Sequence, residues 1–181
     1  FEPVEGRFEF GWLDDIVGRL GSRDILSILC TPTACPPIWL VEKYPDMAYV
    51  DNRGRKRPFG GRRHYCYTHS GFRDHCALIA DRIGARYGRN PHVLGFQIDN
   101  EPAQESTGRC RCPRCRREFQ AWLEAKYGTI DELNRRMGTV FWSQEYSRFS
   151  QIPVPLNSIE PGTDEPIYAY FDNPSLHLDF Q

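Results

Sequence analysis

Trp12, Leu13, Ile16, Val17 and Leu20 recur at the spacing that gathers side chains on one face of an α-helix. Ile25 to Leu29 then forms a compact apolar run, broken by the Pro-rich CTPTACPP, so the pattern predicts helix, strand, loop. Ser70 stands where it can cap a second helix, along which Phe72, Cys76, Ile79, Ile83 and Tyr87 make an apolar stripe. Gly88 and Asn90-Pro91 stop it, and HVLGFQI follows as a second strand, Val93–Ile98. Cys115, Phe119, Trp122, Leu123 and Lys126 signal a third helix that Gly128 ends, and Thr129-x-x-Glu132 reads as a capping box opening a fourth. Beyond about Gly138 the periodicity fades. IPVPLNSIEPGTDEPIY is rich in proline and turn formers, so 138–181 is expected to be a loop-rich excursion.

Strands that alternate with helices of ten or more residues argue for βα units and a parallel sheet, because parallel strands need a crossover of that length. The expected fold class is α/β. With 181 residues, 40% hydrophobic and 26% charged, the chain has the length and make-up of one globular domain. A net charge of −1 supplies no general attraction to nucleic acid or anionic membrane, although Arg53–Arg57 and Arg109–Arg117 are locally basic. No apolar run approaches the roughly 20 residues that a bilayer span needs. FEPVEGRFEF, with three glutamates, does not resemble a signal peptide, and the lack of an initiating methionine suggests a cut end at residue 1.

Two stretches carry candidate chemistry. In a (β/α) barrel the reacting groups sit at the carboxyl ends of the strands, and Asn100-Glu101 falls directly after the second strand. A carboxylate in that position serves as general acid/base once desolvation or a second carboxylate raises its pKa, and Asn100 could hold a substrate hydroxyl. The bland alternative is that Asp99, Asn100 and Glu101 cap the next helix or face solvent. Cys110, Cys112 and Cys115 offer three soft ligands from one tight turn, as a structural zinc requires, and a fourth must come from elsewhere. Cys66, in the polar loop GGRRHYCYT, is the best candidate, with His64 and His69 as substitutes. Arg109, Arg111 and Arg114 could offset the charge of four thiolates on zinc. The alternative is three thiols without metal. Cys30, Cys35 and Cys76 read as small buried hydrophobes. Seven cysteines cannot all pair, and this spacing suits a metal better than a disulfide framework, which favours a reducing compartment, the cytoplasm.

Taken together, EPVEGRFEFGWLDDIV, TPTACPPIWL, GRRHYC, VLGFQIDNEP, CRCPRCRREFQAWLEAKYGT with the following LN, and FWSQEY resemble glycoside hydrolase family 42, the β-galactosidases of clan A. That resemblance implies part of a (β/α)8 TIM barrel, a fragment of its first half truncated at both ends, with 1–181 belonging to a single catalytic domain. It implies retaining hydrolysis of terminal β-D-galactosides, with Glu101 as acid/base, Asn100 on the galactosyl 2-hydroxyl and Arg62 holding the sugar. It also implies Cys66, Cys110, Cys112 and Cys115 as a structural zinc cluster away from the chemistry, and a homo-oligomer, commonly a trimer. Pro102 departs from the family, whose members usually carry an aromatic residue there.

Retention needs a second carboxylate about 5–5.5 Å from the first. The family's nucleophile lies on a later strand; Glu105, Glu118, Glu124, Glu160 and Glu165 have no comparable strand-end context, so the chain alone is expected to be inactive and marginally stable. Two alternatives stay open at this point. One is a zinc-binding interaction module for nucleic acid or protein, suggested by RRH and RCRCPRCRR; the other is a clan A glycosidase of different sugar preference. Trp39 could line a sugar cleft or simply pack, Trp12, Trp122 and Trp142 are expected in the core, and FWSQEYSRF is expected to pack beneath the barrel mouth or against another subunit. The five histidines show no catalytic spacing.

Overall fold

A computed structural model describes residues 1–51, 53–101, 109–155 and 173–180. Expectations resting on Pro102, Glu105, Glu160, Glu165 and the side chains of Trp142 and His177 lie outside the described residues. The chain divides into two compact units, Phe1–Ala48 with Pro58–Glu105, and Tyr49–Arg57 with Ser106–Gln181.

The first unit carries α1 (Gly11–Gly21), β1 (Ser27–Cys30), α2 (Ile38–Lys43), α3 (Ser70–Tyr87) and β2 (Val93–Gln97). β1 and β2 pair in parallel, Ile28 opposite Gly95 and Cys30 opposite Gln97. Two parallel strands joined through a long helical crossover are the βα arrangement that the sequence pattern predicts, and they fit part of a barrel. Leu29 turns into a core with Phe10, Leu13, Val17, Ile79, Ile83 and Tyr87, so α1 and α3 cover one face of the pair. On the other side Ile28, Leu94 and Ile98 are 65%, 68% and 85% exposed.

Local chemistry fixes where these elements begin. The ladder opens at Ser27, two residues after the apolar run starts, because Ser27 N–H donates to the His92 carbonyl at 2.9 Å. That approach needs Gly21 at the end of α1, where a Cβ would sit 2.2 Å from the His92 ring. The cap of α3 is His69 and not Ser70: His69 Nδ1 accepts from Phe72 N–H at 3.2 Å. The ring proton is therefore on Nε2, which faces Asp46 Oδ1 at 3.2 Å, so both nitrogens are engaged and His69 is withdrawn as a metal ligand. α2 follows Pro36-Pro37 directly, hidden from the pattern by the Pro-rich turn. Trp39 on it donates Nε1–H to the Glu2 carbonyl at 2.8 Å and meets His75 edge-on, a packing role.

The expected places of four further residues are corrected here. Trp12 is 52% exposed, because the buried face of α1 is the narrower one of Leu13, Val17 and Gly21. Cys30 and Cys35 are exposed and Cys76 only half-buried, since a thiol's hydrophobicity does not by itself place it in a core.

The second unit carries α4 (Pro113–Tyr127), α5 (Ile130–Met137) and α6 (Pro174–Phe180). Phe119, Leu123, Leu133, Met137, Ile152 and Leu176 form its core. Trp122, one residue and hence about 100° round the helix from Leu123, is 46% exposed under the Lys126 ammonium, not core as expected. Thr129 Oγ1 accepts Glu132 N–H at 3.2 Å, while Thr129 N–H donates to the Tyr127 carbonyl, so only half of the capping box forms. Past Gly138 order is held by side-chain bonds: Asn134 Oδ1 accepts from Thr139 Oγ1 and Tyr146 N–H, and Asn134 Nδ2 donates to the Tyr146 carbonyl. Tyr146 and Phe149 pack on this core, whereas Phe141 is exposed. Asn173 Oδ1 caps α6 by accepting Ser175 N–H at 2.9 Å, so Pro174–Phe180 is helical within the stretch expected to be loop-rich. Among the described residues, no helix is long and apolar enough to cross a membrane.

Candidate functional site

Because β1 and β2 run in parallel, the segments that leave their carboxyl ends share one rim. Thr31, just past β1, donates its N–H to the Gln97 carbonyl at 3.0 Å, and its Oγ1 accepts Asp99 N–H at 2.8 Å. Asp99 and Glu101 both have positive φ, 56° and 44°. For side chains other than glycine such backbones persist only where the surroundings fix them. Here Asp99 Oδ1 accepts Asn100 N–H at 2.8 Å, and Asn100 Oδ1 accepts from Gln97 Nε2 at 3.1 Å.

Glu101 is thereby turned out into solvent at the end of β2. Its Oε2 lies 3.4 Å from Asn100 Nδ2 and 3.4 Å from both Arg62 Nη1 and Nη2. The structure thus brings Arg62, Asn100 and Glu101 together on one oxygen, an open carboxylate flanked by an amide and a guanidinium. These contacts are long, as befits a partly exposed pair with side chains 36% and 55% accessible. A carboxylate, a cationic fork and a neutral amide on one rim can grip hydroxyl groups and exchange a proton with an oxygen between them.

The thiols of the second unit are arranged from the sequence upward. Cys112 occupies the N-cap of α4 with Pro113 at its first position, and Cys112 Sγ accepts Cys115 N–H at 3.5 Å. A thiolate suits that site, where free N–H groups and the helix dipole favour negative charge. Val50 N–H donates to Cys110 Sγ at 3.3 Å, and Arg111 N–H donates to the Val50 carbonyl at 2.9 Å. The sulfurs of Cys110, Cys112 and Cys115 lie within 4.8 Å of one another, all three residues buried. Three convergent sulfurs, two of them receiving N–H bonds, fit a zinc ion that needs thiolate ligands. Arg111 donates Nε–H to the Pro155 carbonyl at 2.9 Å and Nη1–H to the Arg109 carbonyl at 3.1 Å. Cys66 belongs to the first unit, where it is buried with Sγ 3.0 Å from Thr68 Oγ1.

Sequence reasoning missed Arg63 and Asp99. Arg63 is 1% exposed and its Nη1 donates to Asp99 Oδ2 at 3.1 Å. The doubled arginine and the aspartate before Asn-Glu were the available signals.

All of residues 1–181 match the sequence model of the glycoside hydrolase 42 family, described as Beta-galactosidase. A β-galactosidase of Thermus thermophilus is 46% identical over 180 residues, 99% of this chain and 26% of that protein. Bga of Halorubrum lacusprofundi, also a β-galactosidase, is 44% identical over 154 residues, 85% of this chain and 22% of its own. Among solved structures, the β-galactosidase of the psychrophilic Marinomonas ef1 superposes with a TM-score of 0.87 at 38% identity, covering 99% of this chain and 26% of that one. The chain thus spans about a quarter of the length of the curated relatives it matches. By sequence along its whole length and by fold, the chain belongs to glycoside hydrolase family 42, the β-galactosidase family.

Proposed function

We propose that this chain supplies the proton-donating side of a retaining β-galactosidase, with Glu101 as general acid/base. One observation carries the reading: at the carboxyl end of a parallel strand, Glu101 shares one oxygen with Asn100 and Arg62 at 3.4 Å. Glu101 protonates the glycosidic oxygen while a second carboxylate attacks the anomeric carbon and forms a covalent glycosyl intermediate. Glu101 then takes a proton from the water that releases the sugar. Arg62 and Asn100 hold sugar hydroxyls, Asn100 the one next to the anomeric carbon. The attacking carboxylate comes from the part of a full-length enzyme that lies outside these 181 residues, so the chain alone is inactive. The reading is tested in an exchange enzyme, in which this chain replaces the matched 180 residues of the Thermus thermophilus β-galactosidase. That enzyme hydrolyses nitrophenyl β-D-galactoside in preference to the β-glucoside, and Glu101→Gln removes at least about 10²-fold of the rate, the usual scale of acid catalysis. A preference for another sugar would leave the clan A alternative standing.

Zinc, when bound, supplies structure and no chemistry at the sugar. We propose Cys110, Cys112, Cys115 and Cys66 as its ligands, the first three on their convergence and N–H bonds, Cys66 as a buried thiol of the matching family pattern. About one equivalent of chelatable zinc per chain, lost on Cys112→Ser and on Cys66→Ser, is the expected outcome; no bound metal would refute it. The C-x-C-x-x-C spacing of Cys110, Cys112 and Cys115, which suits a metal better than a disulfide framework, supports a reducing compartment, the cytoplasm. A homotrimer of the full-length enzyme rests on the family resemblance.

A further inference from the structure

We propose that Arg63 and Asp99 are positioning residues for the Asn100–Glu101 pair, and that the positive φ of Arg63 divides two consecutive arginines between the catalytic carboxylate and its support. The inference rests on the reading of Glu101 as acid/base and extends it to the groups beneath.

Arg62 and Arg63 are neighbours, yet they do different things. Arg62 reaches outward to Glu101, while Arg63, at φ 59°, turns inward and is 1% exposed. Its N–H donates to the Ala34 carbonyl at 3.0 Å, which ties it to the segment after β1. Its Nη1 donates to Tyr67 OH at 2.6 Å and to Asp99 Oδ2 at 3.1 Å. Asp99 uses its other oxygen for Asn100 N–H, its own N–H for Thr31 Oγ1, and its carbonyl as acceptor for the Cys30 thiol at 3.5 Å. Every polar handle of Asp99 is therefore committed to one geometry, and that geometry sets the backbone on which Asn100 and Glu101 stand.

A buried ion pair is a poor source of net stability, since desolvation offsets most of the attraction. It is a good source of direction. Arg63 Nη2 is buried without a partner among the described residues, so the guanidinium is held for the orientation of its fork and not for complete satisfaction. Three non-glycine residues in the left-handed region, Arg63, Asp99 and Glu101, surround this contact. Strain of that kind is kept where surroundings over-determine it.

The test uses the exchange enzyme with Arg63→Lys, which keeps charge and loses the fork, and Asp99→Asn, which keeps volume and one acceptor. Hydrogen exchange over 94–101 reports the support directly, with α3 as internal control. Both variants should exchange the Asp99 and Asn100 amides about tenfold faster while α3 is unchanged, and kcat should fall by roughly 10–100-fold with KM within about threefold, the signature of a misplaced group. Unchanged exchange over 94–101 together with kcat within about twofold overturns the proposal. If Arg63→Lys also loses α3 protection, it has unfolded, and Asp99→Asn decides. Glu101→Gln keeps the two ideas apart: full turnover by that variant sinks the acid/base reading, whereas exchange over 94–101 still judges the support.

Discussion

Glu132 accepts from Arg135 at 2.9 and 2.7 Å and from Arg136 Nε at 2.7 Å. The Arg135 bonds, seconded by that of Arg136, hold its carboxyl down to about 2. A depressed folded value means stability that is fully present above the ordinary carboxylate range and drains as the pH falls from about 4.5 toward 2. Acid titration of α5 helicity should therefore show a loss across that window, weakened by salt because the pair is exposed. Glu132→Gln should flatten the titration; an unchanged curve would show that the contact contributes nothing. Single residues also mark what the sequence could not disclose. Nothing in the letters RR tells which arginine faces the rim, because the sign of one φ decides it. Asp99 read as a possible cap, since its bonds to Thr31 and Arg63 join segments 68 and 36 residues apart.

At the level of elements, local signals were legible where an apolar run and a stop signal coincide. β2 and the carboxylate beyond it belong to that class, as do α3 to α5, because Gly88, Gly128 and Gly138 follow their stripes. The template failed in assigning breadth. It placed Trp12 and Trp122 inside, although a buried helix face here is only as wide as its neighbours cover. α6 was invisible, since its seven residues depend on the Asn173 cap and on Leu176 reaching the core. The contrast along α4 is testable by chemical denaturation. Leu123→Ala, at 0% exposure, should cost about 2–5 kcal/mol, whereas Trp122→Ala should cost well under half as much. Equal losses would show that Trp122 is not a surface residue.

On the scale of the whole molecule, the parallel pair leaves Ile28, Leu94 and Ile98 open, and among the described residues the contacts of the Glu101 carboxylate run to Arg62 and Asn100 and not to a second carboxylate. Both features fit a chain that covers about a quarter of its relatives. The family was legible because long stretches around the rim and the thiols coincide with its pattern, while the supporting contacts below the rim emerged only in three dimensions. The central claim, that Glu101 hands a proton to the departing oxygen, is tested most directly by leaving-group dependence in the exchange enzyme. A methyl galactoside needs that proton, whereas a dinitrophenyl galactoside departs without it. Glu101→Gln should slow methyl galactoside hydrolysis by at least about 10²-fold and leave the first-turnover burst of dinitrophenolate, the readout for that substrate, nearly intact, later turnovers slowing because the same residue is the base for water. Equal losses on both substrates would contradict the account and assign Glu101 another role.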